Sequence, residues 1–199
     1  MKPKITDISQ LDLSKTYTYA DYLTWRLNER VELIKGWIYK MSPAPKRLHQ
    51  KIEGYLHVQF WKFFEGQKCE VYQSPFDVRL VKNIGQSDNE ITTVVQPDIS
   101  VICDPQKLDD HGCIGAPDLI VEVLSISTMK KDYNEKFNLY QENGVKEYWL
   151  VNPEMKSIQI FSLENQEYQE FETFEDQKEI ITSKLFPDLQ FPVSEVFEF

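Results

Sequence analysis

The chain has 199 residues, of which 41% are apolar and 27% charged, and its formal net charge is −10. That length and composition suit one soluble globular domain spanning 1–199, and no apolar run is long enough to cross a bilayer. The charge argues against a protein that coats nucleic acid by bulk electrostatics, though not against a local basic cleft.

The start, "MKPKITDISQ", has no long hydrophobic segment, so a cytoplasmic location without a secretion signal is expected. "YTYADYLTWRLNER" (17–30) reads as a first helix, with Thr18 as its cap and Asp21 in its first turn. "VELIKGWIYKMSP" (31–43) reads as two short strands around a Lys35-Gly36 turn. The segment 40–51 carries Lys40, Lys46, Arg47 and Lys51 without one acid. In 49–66, Ile52, Tyr55, Leu56, Phe60, Phe63 and Phe64 recur at helical spacing, and Gly66 is a stop signal.

Strands are expected at 69–81, broken at Pro75, and at 93–103 and 118–125, with a loop holding Asp109, Asp110 and Gly112 between the last two. The next helix, 128–144, has Thr128 as cap and Gly144 as stop. Strands at 146–153, 157–164 and 167–174 precede a tail of apolar residues and prolines that packs onto the body. The order of elements predicts a mixed α/β or α+β sheet protein. Cys69, Cys103 and Cys113 cannot all pair within one chain, and reduced thiols are the simple reading. Zinc on Cys103, His111 and Cys113 matches no common ligand spacing.

Two apolar runs, "PDISVICDP" (97–105) and "PDLIVEVLS" (117–125), each contain one acid, Asp98 and Glu122. Strand alternation puts Asp98, Ser100 and Ile102 on one face, and Ile120, Glu122 and Leu124 on one face. If the strands are neighbours, the carboxylates converge and repel unless a cation joins them. A divalent metal is one solution; pairing with Lys or Arg is the plainer one, and spacing leaves both open. A nuclease site also needs a cation near the attacked phosphate. Leu124, two residues after Glu122, cannot serve. At about 100° per residue, Lys131 points to solvent while Lys130 and Lys136 both flank the buried side of the following helix. Angle does not choose between those two; Asp132 and Tyr140, each four residues from Lys136, could orient it, although an Asp132–Lys136 surface pair is the commoner outcome.

The segments "VELIKGWIYKMSPAP…H", "QPDISVI" and "PDLIVEVLSIST…KDYNEKFNLYQENGVKEYWLVNP" together resemble a large bacterial family of restriction-endonuclease domains, Uma-type, formerly a domain of unknown function. The resemblance runs from about Tyr17 to the tail. It implies the PD-(D/E)xK nuclease fold: a restriction-endonuclease-like mixed sheet flanked by helices, with extra N-terminal and C-terminal strands. It implies Mg2+ or Mn2+ held by Asp98, Glu122 and Glu32, with Lys136 replacing the missing strand lysine as the catalytic cation. His49 matches a histidine at the family's helix start; beside Lys46 and Arg47 it would contact phosphate, or else cap the helix or sit in the core, and Ser125 and Thr128 match the family's S-x-S-T segment, with Ile126 where proline is frequent.

The expected function is metal-dependent DNA endonuclease activity, a phosphodiester hydrolase acting on nucleic acid, with a homodimer as a candidate state. The alternative is a catalytically weak nuclease-fold module that binds nucleic acid or regulates. A thiol or serine hydrolase is disfavoured, because no Gly-x-Ser-x-Gly motif occurs. Asp77 is a further acid for the site or a partner of Arg79. Tyr148 and Trp149 are candidates for a dimer contact or for core filling.

Overall fold

The computed structural model describes residues 4–41, 46–83, 85–126 and 129–198. In chain order the described elements are α1 (Tyr19–Tyr22), β1 (Val31–Ile34), β2 (Trp37–Lys40), α2 (Arg47–Phe64), β3 (Glu70–Gln73), β4 (Val78–Arg79), β5 (Val94–Val95) and β6 (Ile99–Ile102). They continue with β7 (Leu108–Asp109), β8 (Gly112–Ile114), β9 (Leu119–Val123), a π-helical turn at Lys131–Lys136, α3 (Phe137–Asn143) and β10 (Glu147–Asn152). The tail holds β11 (Ser157–Glu164), β12 (Glu167–Phe174), β13 (Ile180–Thr182), β14 (Gln190–Pro192) and α4 (Val193–Phe197).

Two large mixed sheets result. One runs β12-β11-β10-β9-β6-β3 and the other β2-β1-β5-β4-β8-β7. In the first, β9 and β10 are parallel, with the π turn and α3 as their crossover, while β6 pairs antiparallel with β9. Alternation along β9 divides the core. Leu119, Val121 and Val123 pack toward Ile52, Leu56, Phe60 and Phe64 of α2. Ile120 and Leu124 pack on the other face, with Leu139 and Tyr140 of α3 and residues of the second sheet. The Phe60 ring meets Trp149 edge-on at 5.3 Å, so α2 is held by apolar burial although no side chain caps its start. Tyr148 and Trp149 are both fully buried, which removes them as a dimer contact.

Several elements differ from the sequence expectation. The first helix is one turn; Thr24 and Trp25 make tighter i→i−3 bonds, and beyond them the Arg26 N–H bonds the Ile5 carbonyl at 2.7 Å. The 104–117 loop contains the β7–β8 hairpin, and the tail adds the β13–β14 pair. Lys35 and Gly36 both have positive φ, 52° and 85°, the turn geometry that joins β1 to β2. The reduced-thiol expectation is corrected: Cys69 and Cys103 form a disulfide. The β3–β6 register pairs Glu70 with Ile102, so the next step sets the two cysteines opposite each other, a relation invisible in linear spacing. With Cys103 so engaged, and burial pushing the Cys113 thiol up to about 12, the Cys103–His111–Cys113 zinc set has no support. Among the described residues no helix is long and apolar enough to cross a membrane.

Candidate active site

The antiparallel register of β6 and β9 places Ile99 opposite Val121; one step further, Asp98 stands opposite Glu122. Both side chains line a cleft of about 550 Å³. Asp98 is oriented by the backbone: its Oδ2 accepts the Val123 N–H at 2.7 Å. Glu122 is 4% exposed, and its Oε1 accepts both Lys136 Nζ and the Tyr140 hydroxyl, each at 2.7 Å. Glu32 comes from β1 in the second sheet and is buried; its Oε1 accepts the Gln96 N–H at 3.0 Å and stands 3.1 Å from Lys136 Nζ. Lys136 thus bridges Glu32 and Glu122, with Asp132 Oδ1 at 3.9 Å.

Lys131 also pairs with Glu32, contrary to the solvent-facing position that α-helical angles assign it. The reason is the π turn. Five residues of α-helix rotate by roughly 500°, leaving Lys131 and Lys136 far apart around the axis. The i→i+5 bonding of a π turn brings residues five apart onto nearly one face, so both ammonium groups reach one carboxylate. Lys130 is exposed, which separates it from Lys136 where angle alone did not. The Asp132–Lys136 pair is buried, not the surface pair its spacing suggests.

The other side of the cleft is built differently. His49 and Glu53, one turn apart on α2, face Asp98: His49 Nε2 stands 3.5 Å from Asp98 Oδ1 and 3.8 Å from Glu53 Oε2. These three donors lie within 4.8 Å of one another, a group that could hold a metal ion. Glu53 Oε2 also accepts the Gln50 side-chain amide at 2.8 Å. Among the described residues, neither Glu53 nor Asp98 is ion-paired with a lysine or arginine.

The titration behaviour follows these surroundings. Burial disfavours charge on Glu32, but Lys136, Lys131 and the Gln96 N–H outweigh it and hold the carboxyl at about 2. Burial pushes Glu122 up, and the charges of Asp132, Asp98 and Glu32 add to this against Lys136. Burial also opposes charge on Lys136, yet Glu122 and Glu32 keep it protonated, with a pKa well above the usual lysine value. Glu53 is raised to about 7 by burial and by Asp98. His49 is raised as well, because Asp98 and Glu53 outweigh its burial.

Of the other residues singled out in the sequence, Lys46 and Ser125 line the cleft, while Arg47 is exposed and outside the lining. Thr128 lies outside the described residues. Asp77 sits behind the site, accepting from Gln96 Nε2 at 2.8 Å, while Arg79 pairs with Asp109. Sequence reasoning missed Glu53, Lys131 and Gln96. The i, i+4 spacing of Glu53 from His49 was its one available signal. Arg30, Lys40, Lys46 and Lys131 place cations along a cleft in an acidic protein.

The model of the Uma2 family, described as "Putative restriction endonuclease", matches residues 19–194. The chain belongs to the Uma2 family. Every residue of the cleft named above falls inside the matched span. The chain is 33% identical over 144 residues to the uncharacterized protein slr1290 of Synechocystis sp., covering 71% of each. It is also similar to the crystal structure of a "putative nuclease belonging to DUF820" from Anabaena variabilis, with a TM-score of 0.69 and 19% identity over 91% of this chain and 97% of that one. The mixed α+β, nuclease-like fold expected from the sequence is the fold observed. The family is described as one of nucleases, which points to a hydrolase.

Proposed function

We propose that the chain is a metal-dependent endonuclease that hydrolyses phosphodiester bonds in DNA. The observation carrying this reading is the cross-strand pair Asp98–Glu122 on the cleft floor, with Lys136 Nζ 2.7 Å from Glu122. Asp98 and Glu122 offer the hard oxygen donors that Mg2+ or Mn2+ takes, and Glu32 stands beside Glu122 across the shared lysine. A dication held there would supply Lewis-acid polarisation of a phosphate oxygen.

The chain's own residues do the rest. The Val123 N–H fixes Asp98, and Tyr140 with Lys136 fixes Glu122. Lys136, almost fully buried, acts by orienting Glu122 and placing positive charge under the cleft floor. Lys131, with 19% of its side chain exposed, is the lysine that reaches the phosphate from the wall. Arg30, Lys40 and Lys46 along the cleft meet neighbouring backbone phosphates, contacts that position the strand without reading its bases.

The test is cleavage of supercoiled plasmid, single-stranded DNA and RNA with and without Mg2+ or Mn2+. Dication-dependent products are expected with DNA, falling about a hundredfold or more in Asp98→Asn and Glu122→Gln. Intact substrates throughout, or unchanged cleavage by both variants, would overturn the reading. One feature favours the second reading, a binding module without turnover: the Lys136 ammonium is already engaged by two carboxylates. That reading predicts retarded DNA in a gel-shift assay and no products.

A further inference from the structure

Among the described residues, the two acids on the α2 side of the cleft lack the paired lysine that their neighbours have. Glu32 and Glu122 share Lys136, whereas the ion-pair partner of both Glu53 and Asp98 is the His49 imidazole, and Arg30 acts on Glu53 only from beyond ion-pair distance. The Glu53 side chain is about nine-tenths buried, with 9% of its area exposed, so solvent screens its charge little. The Val123 N–H occupies Asp98 Oδ2, turning Oδ1 toward His49. The Gln50 amide holds Glu53 Oε2 in place from one turn earlier on the helix.

The separations suit a coordinated ion. With metal–ligand bonds of about 2.0–2.2 Å, donors on one ion lie roughly 3–4.4 Å apart. The contacts from His49 Nε2 measure 3.5 and 3.8 Å, and the widest separation allowed in the group, 4.8 Å, closes with a small side-chain adjustment.

We propose that His49, Glu53 and Asp98 form a metal position of their own, adjoining the Asp98–Glu122 pair and sharing Asp98 with it. One imidazole and two carboxylates select a first-row transition-metal dication over magnesium, because nitrogen donors raise affinity along that series and give little to Mg2+. The position rests on the metal-dependent reading above and adds to it a ligand set reaching from the sheet to α2.

The probe is Mn2+ added to the full-length protein, followed by electron paramagnetic resonance for binding and by nitrogen modulation of the electron spin echo for imidazole ligation. Bound Mn2+ with a nitrogen coupling is expected in the wild type and in Glu122→Gln. The coupling disappears in His49→Ala. Affinity falls about tenfold or more in both His49→Ala and Glu53→Gln. Circular dichroism and thermal melts of the variants separate ligand loss from unfolding, and Glu53→Gln keeps the test open should His49→Ala fold poorly. Bound Mn2+ without nitrogen coupling overturns this position and leaves the Asp98–Glu122 reading standing. Protein that binds no Mn2+ overturns both.

Discussion

The cleft has two halves that handle buried carboxylates in opposite ways. On the side of the π turn, Glu32 and Glu122 are neutralised from within by Lys136, with Lys131 adding a second ammonium on Glu32. On the side of α2, Glu53 and Asp98 have a histidine between them and, among the described residues, no ion pair to a lysine or arginine. The covalently built-in cation holds Glu32 ionised, while burial and neighbouring acids still push Glu122 up to about 8. The second half has no such lysine, and under the proposal above a cation arriving from solution would complete it. Under that proposal a binding site and a structural ion-pair network share one floor and differ in where the positive charge originates.

Removing the built-in cation tests this contrast most severely. Lys136→Met leaves two buried carboxylates without their bridge and is expected to cost about 3–5 kcal/mol in chemical denaturation. A loss under about 1 kcal/mol would mean that the first half does not depend on its lysine. Acid comes next. The folded pKa of Glu32, about 2, lies below its ordinary 4.5, so its contribution is full above pH 4.5 and is lost as pH falls through 2. That loss is worth about 3 kcal/mol, and Glu32→Gln should flatten this acid limb in a pH series of unfolding curves.

The smallest effect has the opposite sign. The folded pKa of Glu53, about 7, lies above its ordinary 4.5, so in metal-free protein it destabilises the fold progressively from pH 4.5 to 7. Glu53→Gln with chelator present should therefore gain on the order of 2 kcal/mol at pH 8 and nothing near pH 4. A variant that melts lower than wild type at pH 8 would show that His49 alone already balances the α2 side.

Much of this arrangement was legible in the chain. The alternation in "PDISVI" and "LIVEVL" assigned Asp98 and Glu122 to defined strand faces, and the apolar period of 49–66 marked α2. These are signals between residues two to four apart, and local backbone geometry carries them wherever the element sits. The register of β6 on β9, the arrival of Glu32 from the other sheet and the Cys69–Cys103 bridge join residues far apart in sequence; packing decided them. The π turn is the clearest divide. The sequence supplied two lysines five apart, which an α-helix would separate, and only the helix winding adopted in the folded protein brought both onto Glu32.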